Sequence, residues 1–277
     1  MPKAPTKYKT CSVLMCLYKN DNPSFLRDAL LSITTQQIVQ PSEIVISVDG
    51  PIPDDLKEVL EQHKKNFKNT IVVQSKKNKG VGHASNCGLK HCTNELVAKM
   101  DADDIAKPDR LKLQLEAFQK DDSLVLVGGQ IEEFSGSLDN IVGKRIVPTT
   151  RESILKFARR RAPFNNPTVM YKKSVVLELG GYPDYNRGED YLLSAKILAA
   201  GHNVVNLDSV LLSYRANDDA FRRRKTWRHT KENILVQNEI RKLGISSFWD
   251  FLSVSIIRLF LFILPRPVTR LFYGFLR

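Results

Sequence analysis

The chain has 277 residues, 42% of them hydrophobic, which is ample for a buried core and argues against disorder. Its 42 Lys and Arg exceed its 30 Asp and Glu, and the excess is uneven: positions 215–277 hold 13 basic residues against 5 acidic ones, so the basic character belongs to a tail. Cys11, Cys16, Cys87 and Cys92 lack the paired two-residue gaps of a zinc site and read as reduced thiols. The opening "MPKAPTKYKT" leads into an apolar run broken by Lys19, Asn20 and Asp21, which is not the form of an export signal, so a cytoplasmic protein is expected.

In chain order, "CSVLMCLY" (11–18) is a short continuous apolar run, as expected of a strand buried on both faces, and "NDNP" supplies a helix start with Pro23 in its first turn. "EIVISVD" (43–49) repeats the strand signal. "PDDLKEVLEQHKKNF" reads as an amphipathic helix with acids in its first turn, and "TIVVQ" (70–74) as a third strand. "GVGHASNCGLKHC" predicts a small-residue helix and "ELVAKM" (95–100) a fourth strand. Strands separated by helices predict a parallel, doubly wound α/β sheet, whose ligands gather at the carboxyl ends of the strands. "GGQIEEFSGSLDN" (128–140) reads as a loop-rich insertion.

Directly after the fourth strand comes "MDADDIAKPDR", with Asp101, Asp103 and Asp104 in four positions, and Asp49 ends the second strand in the same way. Clustered carboxylates repel one another unless a cation, hydrogen-bond donors or water compensates them. A hard divalent ion, Mn2+ or Mg2+, suits such oxygen ligands and takes few protein carboxylates beside phosphate oxygens. The competing reading is a helix cap, with Asp103 or Asp104 capping "PDRLKLQLEAF". Gly80 and Gly82 would allow close backbone approach to a ligand, or simply make a strand-to-helix turn.

Taken in order, "SVLMCLYKN", "EIVISVDG", "NKGVGHASNCGL", "VAKMDADDIAKPDRL" and "GEDYLLSAKI" resemble the family 2 glycosyltransferases, inverting enzymes of the GT-A fold that use nucleotide-sugar donors. The resemblance covers roughly residues 10 to 215. It implies a Rossmann-like, mostly parallel central sheet flanked by helices, in a catalytic unit over 1–215, with about 10–120 binding the donor and about 121–215 forming the acceptor side. It also implies roles: Tyr18 packing against the base, Asp49 on the uracil edge, Asn78, Gly80 and Asn86 in the donor loop, Asp101 at the ribose and Asp103 on the metal. Asp190 would be the general base and Glu189 would orient the acceptor. Three positions depart from the common pattern: Lys19, Ser85 and the "ANDD" after Tyr214 and Arg215.

In the second half, Asn165, Asn166 and Pro167 form a loop signal before a short strand, and in the resemblance this segment lines the acceptor side, so Asn166 is assigned to substrate contact. "FRRRKTWRH" (221–229) offers Arg222, Arg223 and Arg224 to a diphosphate, because guanidinium groups match phosphate oxygens; the alternative is a solvated basic helix face. The segment 216–277 is read as a basic, amphipathic helical region. Its apolar run carries Asp250 and Arg258 and ends at Pro265, which makes a poor membrane span. Trp249, Phe251, Leu252, Ile256, Phe260 and Ile263 suit one buried side, with Arg266, Arg270 and Arg277 to meet an anionic membrane surface; packing on the catalytic unit is the alternative.

The function expected is transfer of a sugar from a nucleotide-sugar donor, a UDP-sugar above others, to a lipid-linked glycan acceptor, in polysaccharide biosynthesis at the cytoplasmic face of the inner membrane. Two other classes compete with it: a basic nucleic-acid-binding or scaffold protein, and a metal-dependent nucleotidyltransferase. Nucleic acid is not expected as a partner, because the tail's aromatics sit in an apolar run and the carboxylates would repel a polyanion. The nucleotidyltransferase leaves "GED" without a role.

Overall fold

The computed structural model describes residues 8–185, 187–216 and 226–264. Strands β1 (Ser12–Leu17), β2 (Glu43–Val48), β3 (Thr70–Gln74) and β4 (Leu96–Met100) alternate with helices α1 (Pro23–Ile33), α2 (Asp54–Asn66) and α3 (Val81–Leu89). Each helix has a local cause. Asn22 caps α1 by accepting from the backbone N–H of Ser24 and Phe25, with Pro23 at its first position. Helix α2 carries Asp54 and Asp55 in its first turn and Lys64 and Lys65 in its last, matching the helix dipole at both ends.

The rest of the described chain follows as β5 (Ile105–Ala106), α4 (Arg110–Lys120), β6 (Leu124–Ser135), β7 (Ser137–Arg145), α5 (Arg151–Ala158), a 3-10 turn (Asn166–Thr168), β8 (Met170–Lys172), α6 (Lys173–Glu178), α7 (Glu189–Ala199), β9 (Asn203–Arg215), α8 (Trp227–Lys242) and α9 (Phe248–Ile263). One nine-stranded sheet runs in the order β3-β2-β1-β4-β8-β6-β9-β5, with β7 paired to β6. β3, β2, β1 and β4 are parallel, as the strand–helix alternation requires, while β8 runs antiparallel to both β4 and β6. The expected GT-A arrangement, with helices on both faces and a helical C-terminal region, holds.

Alternation along the strands splits the core. Val13, Met15, Ile44, Ile46, Ala98 and Met100 belong to one apolar cluster, and Leu14, Val45, Val97 and Tyr171 to another on the opposite face.

The expectation of a loop-rich insertion at 128–140 is corrected. "GGQIEEFS" lies in β6, paired with β9 and, through a turn at Gly136 with φ +72°, with β7. The glycines are there for close approach: a Cβ on Gly128 would sit 2.3 Å from Asn206 Oδ1, and one on Gly129 would sit 2.5 Å from Leu211 side-chain carbons.

Candidate active site

The carboxyl ends of β1, β2 and β4 meet. The Asp49 N–H donates to the Leu17 carbonyl at 2.8 Å, and Met15 registers with Met100, so Tyr18, Asp49 and Asp101 share one edge of the sheet. Asp49 is buried and ties this edge to the loop before α3: its Oδ1 accepts from the Lys79 N–H and its Oδ2 from the Gly80 N–H, both at 2.8 Å. Asn78 donates from Nδ2 to the Asp49 carbonyl at 3.2 Å. Gly80 has φ +98°, and a Cβ on Gly50, itself at φ +89°, would sit 2.8 Å from the Asn78 nitrogen. These contacts hold the Asn78–Gly80 loop against the strand end. Each carboxylate oxygen of Asp49 keeps a further lone pair for a ligand.

The loop after β4 is held from beneath and from the side. Arg110 is fully buried and donates from Nη2 to the Lys99 carbonyl at 2.6 Å. Burial pulls its pKa down to about 10, with Cys11, Asp101 and Asp104 holding it up against that effect, so it stays cationic at neutral pH. Arg215, at the end of β9, donates from Nε to the Asp103 carbonyl and from its backbone N–H to Asp104 Oδ1, both at 2.9 Å, and its guanidinium lies 3.9 Å from the Phe25 ring centroid. Asp104 is thus a structural tether, with burial and its acidic neighbours raising its pKa well above the ordinary value. The capping alternative for Asp103 and Asp104 does not hold, because Asp109 precedes α4 and no side chain caps that helix.

Asp101 and Asp103 are the partly exposed members of the group. Among the described residues no three His, Cys, Asp or Glu side chains are grouped to hold a metal ion by themselves. The donor set on offer is hard oxygen at a loop beside a positively charged scaffold. That fits an Mn2+- or Mg2+-type ion that takes one or two carboxylates and fills its sphere with phosphate oxygens and water.

Facing this edge is the first turn of α7, with Glu189 and Asp190. Gly188 enters the helix at φ +78°, and α3 fixes the approach. Asn86 accepts from the Tyr182 N–H and donates to the Tyr182 carbonyl, both at 2.8 Å, so its side chain clamps the segment leading to α7. A Cβ on Gly82 would sit 2.7 Å from the Pro183 carbonyl oxygen and 3.7 Å from Glu189 Cβ. Gly82 therefore serves helix-to-loop packing.

Burial, then the Asp190 charge, pushes Glu189 up to about 8. Burial also raises the pKa of Asp190, and Asp101 adds to the shift, while the Tyr191 N–H and Lys99 oppose it. Asp190 and Asn166, distant in sequence, line the same narrow cavity of about 20 Å³ together with Tyr171, Tyr182 and Tyr191. Arg222, Arg223 and Arg224 lie outside the described residues.

Three residues of this constellation carried no assignment from sequence: Lys99, Arg110 and Arg215. Lys99 lies on the Val97 side of β4, is 1% exposed, and donates to Cys16 Sγ at 3.2 Å. Burial disfavours its ammonium, yet Cys16, Asp101 and Glu189 outweigh that effect and raise its pKa. The available signal was a lysine inside an otherwise apolar strand, since a buried lysine is rare unless paired.

A mixed sheet whose β3-β2-β1-β4 half is parallel, with a glycine-bearing loop and an Asp-rich turn at its carboxyl edge and a carboxylate pair at the start of α7, is the arrangement of the GT-A fold, the class to which nucleotide-sugar-dependent transferases belong. The comparisons agree: the model of "Glycosyl transferase family 2" matches residues 12–177, and the chain belongs to that family. It is 36% identical over 267 residues to an uncharacterized glycosyltransferase of Haemophilus influenzae, covering 96% of this chain and 98% of that one. It is 34% identical to the amylovoran biosynthesis glycosyltransferase AmsE of Erwinia amylovora (94% and 93% covered). It is also 34% identical to the UDP-Gal:alpha-D-GlcNAc-diphosphoundecaprenol beta-1,3-galactosyltransferase of Escherichia coli (92% and 91% covered). Among solved structures, the mannosyltransferase PcManGT of Pyrobaculum calidifontis, in complex with GDP-Man and Mn2+, shares the fold at TM-score 0.60 and 16% identity, covering 99% of this chain and 83% of that one.

Proposed function

We propose that this glycosyltransferase moves a sugar from a UDP-sugar to a hydroxyl of a lipid-linked glycan acceptor, with inversion, in polysaccharide biosynthesis. The observation that carries the proposal is the nearness of two carboxylate sets: Asp101, on the strand edge it shares with Asp49 and Tyr18, acts on both Glu189 and Asp190 in the first turn of α7. The likeness to the undecaprenol-linked galactosyltransferase supports both the UDP donor and the lipid-linked acceptor.

In this reading the base stacks at Tyr18, Asp49 meets the uracil edge, Asp101 meets the ribose, and Asn78, Gly80 and Asn86 shape the donor loop. Asp190 takes the proton of the acceptor hydroxyl as that oxygen attacks the anomeric carbon from the face opposite the diphosphate. The new carbon–oxygen bond forms as the bond to the phosphate oxygen breaks, and the nucleoside diphosphate leaves with the electron pair. Glu189, protonated at neutral pH, and Asn166 orient the acceptor. Asp103 would hold Mn2+ or Mg2+, which supplies positive charge for the leaving diphosphate. The reaction takes place at the cytoplasmic face of the inner membrane.

The test is a screen of UDP- and GDP-sugars for calorimetric binding and slow hydrolysis, with and without Mn2+. A UDP-sugar that binds in a metal-dependent way, with binding lost in Asp103→Ala while the melting temperature is kept, is the expected result. Metal-independent donor binding would remove Asp103 from the ion.

A further inference from the structure

Among the described residues, none covers one half of the surface of helix α9. At 100° per residue, Trp249, Ile256, Ile257, Phe260 and Ile263 fall on one arc and all are exposed, Trp249 at 73% and Ile263 at 78%. Asp250 and Leu261 fall just past its Ile257 edge and Arg258 lies opposite, so no charged residue of α9 lies on it. The helix is docked by its other side. Asp250 closes a capping box with Ser247 and binds Arg159 at 2.7 Å and Arg160 at 2.6 Å, at the end of α5. Helix α8 lies between α9 and α7, and burial of Val236 and Ile240 against Leu192 and Ala195 joins it to α7. The outward half of α9 is thus an apolar strip fixed relative to the catalytic helix.

The start of α9 adjoins cationic side chains: Asp250 meets Arg159 and Arg160. Where α9 begins, a groove of about 470 Å³ is lined by Lys156 and Arg159 of α5 and its following turn, and by Ser246 and Ser247. Lys156 on its wall and Arg161, two positions past Arg159, are exposed. A bilayer with anionic headgroups offers hydrocarbon to the strip and phosphate to this groove. A second copy of the chain seated there would bring another cationic rim to the first.

We propose that the outward half of α9, with the Lys156–Arg161 end of α5, is an anionic-lipid seat that holds the enzyme flat on the membrane. At 1.5 Å per residue the 16-residue helix is about 24 Å long, short of the roughly 30 Å hydrocarbon core, so it lies in the interface and does not cross it. No described helix is long and apolar enough to cross a membrane. Trp249 sits at the helix start, where an amphipathic ring suits the headgroup level. The purpose of the seat rests on the lipid-linked acceptor, but its existence does not, because the assay below uses no sugar.

The experiment is flotation of the full chain with phosphatidylcholine vesicles and with vesicles containing roughly one-third phosphatidylglycerol, in low and high salt. Wild type should float with the anionic vesicles about tenfold more than with the neutral ones, and high salt should reduce this. Trp249→Asp with Phe260→Asp should lose binding to both. Lys156→Glu with Arg161→Glu should lose only the anionic preference. If the paired apolar variant melts early, Ile263→Asp in the last turn replaces it, with a several-fold loss expected. Wild type that stays with neither vesicle overturns the proposal. So does a wild-type dimer in light scattering that becomes monomeric in the apolar variants without any change in flotation; the strip would then be a contact between copies.

Discussion

Asp190 and Glu189 are adjacent in sequence and differ in exposure, and the roles proposed for them rest on that difference. Glu189 is 8% exposed and holds its proton to about pH 8, whereas Asp190 is half-buried and lines the cavity shared with Asn166. Asp190→Asn keeps the shape and should lower turnover by on the order of 10² or more with donor affinity close to wild type, read from single-turnover rates and calorimetry. Near-normal turnover at saturating acceptor would place the base elsewhere, with Glu189 the first residue to test. The raised pKa of Glu189 also fixes a sign. The folded chain retains a proton that the unfolded chain has released, so this residue's contribution to stability falls as pH rises from the ordinary carboxylate range through about 8. Glu189→Gln should therefore gain melting temperature over wild type across that window and gain no more above it; a constant difference at every pH would show that burial of Glu189 is not what matters. Lys99 is the cation facing both acids and Asp101. Lys99→Met should shift the acid limb of turnover to higher pH, because Asp190 loses an opposing charge, while Lys99→Arg should restore the limb; equal profiles in all three proteins would leave Lys99 a packing residue.

Elements were legible in the sequence wherever one local pattern decided them. β1, β2 and β4 were readable because strands buried on both faces are continuous apolar runs, and α1 because Asn22 and Pro23 mark its start. β6 was not readable, since its Gly128 and Gly129 imitate a loop while serving close contact with Asn206 and Leu211, some eighty positions on. The Asp-rich turn was located correctly at a strand end, but its tether, Arg215, lies 112 positions away and could not be assigned from any window. The α3-to-α7 interlock was hidden for the same reason. Asn86 was legible only as a donor-loop residue; in the fold its side chain also grips Tyr182, and Gly82 packs against Pro183, both ahead of Glu189. Gly82→Ala places a methyl 2.7 Å from a backbone oxygen, which cannot swing away as a side chain can. It should cost about 1–3 kcal/mol in urea unfolding and displace the α7 acids, lowering turnover more than nucleotide binding. Unchanged stability would mean that the 181–185 segment yields freely.

At the scale of the whole molecule, two kinds of surface meet through one chain of contacts: α9 packs on α8, α8 on α7, and α7 begins with Glu189 and Asp190. A protein held to a membrane by α9 would therefore present α7 in a fixed orientation, and the proposed lipid-linked acceptor, diffusing in the same plane, would be encountered at a high effective concentration. That gain belongs to acceptors in the membrane and not to soluble ones. Removal of residues 246–277 deletes α9 but leaves α8, whose Val236 and Ile240 remain packed on α7, so the α7 acids should stay in place. The truncated enzyme should lose about tenfold or more of its transfer to an acceptor embedded in anionic vesicles, while transfer to a short soluble analogue stays within about twofold. Arg159 and Arg160 lose the Asp250 carboxylate in the same variant. Asp250→Asn in the full chain reports on that loss separately and should lower the melting temperature with little effect on the soluble reaction. If truncation reduces both reactions equally, α9 acts by supporting the catalytic unit, and the membrane contributes no local concentration.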